Sequence, residues 1–223
     1  LLAAPVALAL GYACRVRRWW LMLQPHNPDL GQGRAGMAFL ASIAVNNLVP
    51  FRLGDALRCF GFSRWLGVRG GAVLGTVLIE RLLDLIAVLL ALGLALWVLA
   101  PDAAPGLVGP GVLALGAGAV VVVLRPGILA PLVRGLTRAL GRLGKGVQAR
   151  AEAFLDPLLE ALAALSTRRA LTPLIGWTLP VWLFEAASYW AVALAMPALP
   201  VPGAAWLAMP AGTLATLLPT TPG

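Results

Sequence analysis

The order of apolar and polar positions divides the chain into long apolar stretches separated by basic or proline-rich segments. Residues 72–100 form the longest apolar stretch, and residues 174–195 form another, in which Pro180 predicts a kink. Both are long enough to cross the roughly 30 Å hydrocarbon core of a bilayer as helices. A shorter apolar stretch, residues 112–124, lies between them. The pattern therefore predicts several transmembrane helices.

Other apolar stretches are too short to cross a bilayer, and two of them meet prolines. Residues 35–49 would make a helix of roughly 22 Å, and the following Pro50 disfavours its continuation. Residues 204–218 are also short and interrupted by proline, which is typical of transporter binding sites when two such segments occur. Residues 1–14 are the end of a helix, so we expect a fragment truncated at both ends.

The segment between residue 124 and the second long apolar stretch is amphipathic. It carries Arg134, Arg138 and Arg142 at intervals of four residues, which places them on one helical face. Apolar residues line the other side. Such a pattern predicts a helix on the cytoplasmic leaflet. We assign residues 126–169 to a cytoplasmic-side helical insert, broken near Pro157, within a single membrane domain over residues 1–223.

Composition supports a membrane protein. The chain is 60% apolar and 12% charged, whereas a soluble domain is about 25% charged. The fold class expected is all-α, a polytopic helical bundle with re-entrant or broken helices. The alternative is a soluble helical protein with an unusually large core. The net charge of +8 lies beside apolar stretches, which favours anionic lipid over nucleic acid.

The chain offers no constellation for a metal, a cofactor or a disulfide framework. It has two cysteines without a CxxC motif, and His26 is its single histidine. We therefore expect no metal and no cofactor.

The distribution of arginines predicts the topology. The run "RVRRWW" is typical of a helix leaving the cytoplasmic interface, and residues 64–69 and 125–169 are also basic. If these lie inside, residues 35–60 must enter the membrane and return, with a turn near Asn46 to Pro50. The alternative is one tilted, kinked crossing.

Charged residues fall within apolar surroundings, where each unpaired charge costs about 2.5–3.5 kcal/mol. Glu80 and Asp84 are four residues apart, and Arg81 is three residues from Asp84, so they can pair. This group is net negative, and Arg52 or Arg58 could balance it. Two more acids lie in apolar stretches. Asp55 lies three residues from both Arg52 and Arg58, and Glu185 lies in the later apolar stretch. These charges either lock helices together or line a polar cavity, where arginines would bind a phosphate. Asn46 and Asn47 would either cap the broken helix or contact the headgroup of a lipid bound in that cavity.

Three local patterns resemble a known family. "NNLVPFRLGDALR" is similar to the motif N-x-x-x-P-x-R-x-G-(D/E)-x-x-R, and "ERLLD" is similar to E-R-x-x-D. "LPTTPG" resembles the start of P-x-x-P-G-G-x-G, and "WLFEAASYW" resembles a glutamate-bearing helix. The family is the flippase-like membrane domain of bacterial lysylphosphatidylglycerol synthetases and their stand-alone relatives.

The resemblance implies a protein of the bacterial inner membrane that moves a phospholipid or a lipid-linked sugar between leaflets. It implies no enzymatic activity in this chain. The expected partners are membrane lipids, with a homo-oligomer or a partner synthase as further candidates and no nucleic acid. The alternative functions are a scaffold for a lipid-modifying synthase or glycosyltransferase, and an intramembrane enzyme. The residues expected to contact the headgroup are Asn46, Asn47, Arg52, Asp55, Arg58, Glu80, Arg81, Asp84 and Glu185. The residues expected at broken helices and turns are Pro50, Gly54, Pro219, Pro222 and Gly223.

Overall fold

The computed structural model describes residues 2–49, 51, 53–99, 108–196 and 204–215. In these ranges the chain is helical and contains no strand, as the sequence predicts. A π-helical turn, Leu57–Gly61, follows α3, and a 3₁₀ turn, Pro126–Leu129, precedes α7. The α-helices are α1 (Ala3–Leu23), α2 (Gln32–Leu48), α3 (Leu53–Ala56), α4 (Ser63–Leu66), α5 (Gly70–Leu99), α6 (Val108–Leu124), α7 (Ala130–Gly141), α8 (Lys145–Leu165), α9 (Arg168–Ala195) and α10 (Ala205–Ala215).

Two of the described helices are long and apolar enough to cross a membrane. They are α5, with 30 residues, and α9, with 28 residues, which correspond to the two long apolar stretches of the sequence. A third crossing is formed if α6 and the segment after it count as one bent span, since the chain turns by 98° between Ala114–Leu124 and Pro126–Gly141. The polytopic helical fold is therefore confirmed.

The largest buried core joins α1, α2, α5 and α8. Its fully buried members include Trp19 and Phe39, whose ring centroids are 5.9 Å apart, and Ile79 of α5. A smaller core joins α5, α9 and α10 around Val181 and Met209. Helix α5 belongs to both cores, so its charged residues are held between the two packed groups of helices.

Helix α8 packs closely on the first half of α5 through two glycines. A Cβ atom on Gly71 would overlap the carbonyl oxygen of Phe154, and one on Gly75 would come within 2.7 Å of the Ala161 Cβ. Because neither position has room for a side chain, the two backbones approach each other directly.

Adding one methyl group to this contact tests it. We expect Gly71→Ala to lower the free energy of unfolding by about 1–3 kcal/mol, the usual cost of overpacking. The matched control is Gly93→Ala on the same helix, where no atom of the described residues lies within 4 Å of the added methyl group. That change should leave stability unchanged or raise it by about 0.5–1 kcal/mol. Thermal unfolding in detergent compares the two variants. Equal melting temperatures for Gly71→Ala and Gly93→Ala would contradict the close contact of α5 with α8.

Helix α1 ends at Leu23, three residues after the arginine–tryptophan run, and buries Arg18 and Trp19 fully. One expectation about helix ends is wrong. The amphipathic segment does not break at Pro157, which lies inside α8. Packing of α8 on α5 outweighs the local cost of that proline. The break comes at Gly144, whose φ of 132° suits glycine.

His26 lies in the loop between α1 and α2. Burial first, and then the nearby positive charge of Arg69, lower the pKa of His26 below its usual value. The imidazole is therefore neutral at neutral pH. Within the described ranges, no group of three His, Cys, Asp or Glu side chains could hold a metal ion.

Candidate functional site

The chain reverses direction between α2 and α3. Val49 is extended, and Phe51 lies in the left-handed region with a φ of 67°. The side chain of Asn46 then joins the two arms. Its Oδ1 accepts a hydrogen bond from the backbone N–H of Gly54 at 2.8 Å, and its Nδ2 donates to Asp55 Oδ1 at 3.2 Å. Asn46 therefore acts as a cap that also positions a carboxylate.

Gly54 allows the returning arm to lie directly on α2. A Cβ atom at this position would overlap the carbonyl oxygen of Ser42 and lie 2.7 Å from Asn46 Oδ1. The requirement for glycine therefore comes from the close approach of two backbones. Asn47, next to Asn46, is exposed.

Arg58 is fully buried and is held by groups from three helices. Its Nε donates to Ser42 Oγ at 2.6 Å, and its Nη1 donates to Glu80 Oε2 at 2.9 Å. The guanidinium also lies 4.3 Å from the ring centroid of Phe39 and 5.1 Å from that of Trp19, within range for cation–π attraction. The charge of Arg58 is therefore matched by Glu80 inside the protein.

Asp55 pairs with Arg81 at the edge of the site. Arg81 Nη2 donates to Asp55 Oδ1 at 2.9 Å and to Oδ2 at 2.8 Å. The Arg81 side chain is 30% exposed, more than any other arginine of the buried ion pairs described here. Arg58 Nη2 lies 3.9 Å from Asp55 Oδ1 and has no hydrogen-bond partner in the part of the chain that the structure describes. Asp55 thus lies between Arg58 and Arg81. The predicted contact of Asp55 with Arg58 is present, and the one with Arg52 lies outside the described residues.

Asp84 is the centre of a second group of charges. Arg18 Nη2 lies 2.8 Å from Asp84 Oδ1, and Arg15 Nη1 lies 3.4 Å from Asp84 Oδ2. Arg15 also reaches Glu185 of α9, with 3.3 Å between Nη2 and Oε2. Trp182 Nε1 donates to Asp84 Oδ1 at 3.3 Å. This group connects α1, α5 and α9.

Sequence reasoning missed Arg15 and Arg18 as site residues. It placed both at the membrane surface, because a basic run next to tryptophans is typical of an interface. One signal was available, since Arg15 and Arg18 are three residues apart and share a helical face that excludes Arg17. Arg17 instead contacts Gln32 and the ring of Trp20.

The two groups of ion pairs lie next to each other along α5, and we call them together the charge row. Glu80 belongs to the first group and Asp84 to the second, and they are one helical turn apart. Four arginines and four carboxylates make its net charge zero. Its centre, at Arg58 and Arg18, is fully buried, whereas Arg81 at one end and Glu185 at the other are partly exposed. The members of the charge row are Arg81, Asp55, Arg58, Glu80, Asp84, Arg18, Arg15 and Glu185.

An apolar cavity of about 690 Å³ lies next to the charge row. It is lined by α5, α6, α9 and α10, and Trp182 forms part of its wall. Because Trp182 also donates to Asp84, the same side chain touches both the cavity and the charges. None of the described residues that line the cavity is charged.

The structure thus brings together Asn46, Asp55, Arg58, Glu80 and Arg81 in one group, and places Asp84 and Glu185 in the adjoining one. Five other candidate residues lie outside the described part of the chain, namely Pro50, Arg52, Pro219, Pro222 and Gly223.

Comparison with known proteins agrees with the motifs. The family model described as lysylphosphatidylglycerol synthase TM region matches residues 1–223, the whole chain. No curated protein and no solved structure is significantly similar to it. The chain therefore belongs to the lysylphosphatidylglycerol synthase TM region family, and it is a multi-pass membrane protein of a family associated with membrane lipids.

Proposed function

We propose that this domain translocates a phospholipid or a lipid-linked sugar between leaflets, with the headgroup moving along the charge row. The observation that carries the proposal is a neutral set of ion pairs, buried at its centre and partly exposed at both ends. Intramembrane ionisable residues are functional candidates by default. In this proposal the reversal between α2 and α3 is a re-entrant hairpin in the cytoplasmic membrane of a bacterium.

The Asp55–Arg81 pair is where a headgroup would enter. Arg81 gives two contacts to a carboxylate and is partly exposed, so a phosphate can take the place of Asp55. Asp55 then needs a new cation, and Arg58 Nη2 lies 3.9 Å away with no hydrogen-bond partner among the described residues. After the exchange Arg81 holds the phosphate and Arg58 is shared between Glu80 and Asp55, so each anion still contacts an arginine, which lowers the cost of burying charge.

The other end of the charge row supports exit by the same kind of exchange. Arg15 contacts Asp84 at 3.4 Å and Glu185 at 3.3 Å, both longer than the 2.8 Å contact of Arg18. Arg15 is therefore the more readily released arginine of this group. The neighbouring apolar cavity offers an environment for acyl chains while the headgroup contacts the charges. The proposal assigns no covalent chemistry to this chain.

Neutralising Arg81 tests the entry step. We expect Arg81→Gln to lower the rate of phospholipid translocation about tenfold or more, because a charge-assisted hydrogen bond contributes about 1.5–3 kcal/mol. The measurement is movement of headgroup-labelled phosphatidylglycerol in liposomes containing the full-length protein. The matched control is Arg69→Gln, which removes an arginine from the exposed Arg69–Glu160 pair and should leave the rate unchanged. Equal rates in both variants would contradict the proposed role of Arg81.

A second function is favoured by the pairing itself. Since each arginine of the charge row has a carboxylate partner, the row could serve only to lock helices into a scaffold. Such a scaffold would bind a lipid-modifying synthase or glycosyltransferase without moving lipid. The two functions differ in whether a stable protein lacking these charges still translocates lipid.

A further inference from the structure

Helix α7 lies at a steep angle to the helix before it. The chain turns by 98° between Ala114–Leu124 and Pro126–Gly141. Helix α6 is apolar and packs beside α5, the longest spanning helix. If α6 runs across the membrane beside α5, a turn of about a right angle directs α7 along the membrane plane.

The residues of α7 occupy three faces. Val133 and Thr137 are buried, and α7 packs against α8. Leu132 and Leu136 are exposed to 71% and 49%. They lie about 100° from the buried pair on a helix of 3.6 residues per turn. Helix α7 therefore leaves two leucines exposed, although it packs against α8 through another face.

Arginines occupy the side opposite the exposed leucines. Arg134 and Arg138 each lie two residues after a leucine, which is about 200° around the helix. Both side chains are exposed, and their Nε atoms donate to backbone carbonyls one turn back, at 3.3 Å and 3.1 Å. Leucines on one side and arginines on the other match the two layers of a membrane surface, with acyl chains below and headgroups above.

We propose that α7 is an in-plane anchor that binds the anionic lipids of the leaflet it lies on. Leu132 and Leu136 insert among the acyl chains, and Arg134 and Arg138 contact the phosphates of anionic headgroups. The sequence predicted an amphipathic insert over residues 126–169. Only α7 within that range is proposed to lie on the membrane, because α8 packs on α5. Helix α7 contains no member of the charge row, so this anchoring is independent of lipid translocation.

Fluorescence quenching by brominated lipids tests the anchor in the full-length protein. In a background carrying Cys14→Ala and Cys59→Ala, a bimane label is attached at Leu136→Cys or at Arg138→Cys, in liposomes. We expect acyl-brominated lipid to quench the label at position 136 by about twofold more than at position 138, since the apolar face of such a helix is buried by about 5–10 Å. Equal quenching at both positions, or none at position 136, would overturn the in-plane orientation.

The preference for anionic lipid is tested with the label at position 136. Brominated phosphatidylglycerol should quench it more than the same fraction of brominated phosphatidylcholine, and Arg134→Gln with Arg138→Gln should abolish the difference. The control label is Val121→Cys, on an exposed position of α6, which both lipids should quench equally. No preference in the parent protein, or a preference that survives in the double variant, would show that the arginines do not recruit anionic lipid.

Discussion

Replacing Glu80 with glutamine is expected to lower the free energy of unfolding by about 3–5 kcal/mol. Arg58 is fully buried, and Glu80 is the carboxylate that its Nη1 contacts at 2.9 Å. Asp55 is the other carboxylate near Arg58, but it lies 3.9 Å from Nη2 and both of its oxygens already accept from Arg81. Glutamine at position 80 therefore leaves the guanidinium without a close carboxylate, and the cost is that of a poorly paired buried cation. Thermal or denaturant unfolding in detergent measures it.

Two further variants show whether the loss comes from the unpaired charge. Arg69→Gln breaks a pair whose side chains are 65% and 61% exposed, so it should cost at most about 1 kcal/mol. The double variant Arg58→Met with Glu80→Leu removes both charges and fills similar volume, and such replacements are often neutral. It should recover most of the stability lost in Glu80→Gln. A double variant that is less stable than Glu80→Gln would contradict this explanation.

The second large effect is expected at Asp84. Asparagine at this position leaves the fully buried Arg18 without its carboxylate and removes one of two partners of Arg15. We expect Asp84→Asn to lower the free energy of unfolding by about 3–5 kcal/mol and to loosen α1 from α5. The same unfolding measurement applies.

Glu185→Gln is the matched control within that group. Glu185 is partly exposed, and Arg15 keeps Asp84 when Glu185 is neutral. The cost should therefore be about 1 kcal/mol or less. If Glu185→Gln destabilised the protein as much as Asp84→Asn, the second group would not be centred on Asp84.

Much of the fold follows from local pattern. The spans of α5 and α9 were predictable because an unbroken apolar run of that length has few other stable states. The end of α2 was predictable because Pro50 limits the residue before it. The break after α7 was not predictable from the sequence. Pro157 is a strong local signal for a break, but α8 continues through it because α8 packs against α5.

The sequence indicated the four carboxylates of the charge row, but it missed two of the four arginines and most of the pairings. Charge balance along the sequence indicated that Asp55, Glu80 and Asp84 need arginines. Which arginine serves which acid depends on contacts between distant helices, such as Arg18 with Asp84. A basic run beside tryptophans is typical of a membrane surface, so periodicity could not reveal that α1 buries Arg18. The depth of a residue follows from tertiary packing.

The most direct test of the account is phospholipid translocation by the double variant Asp55→Asn with Arg81→Gln in liposomes. This variant removes both charges at the exposed end of the charge row and leaves neither unpaired, so its melting temperature should stay near that of the parent. If headgroups enter through this pair, translocation should fall about tenfold or more. A stable double variant that moves lipid at the parent rate would contradict the proposal, and would leave the charges as a scaffold.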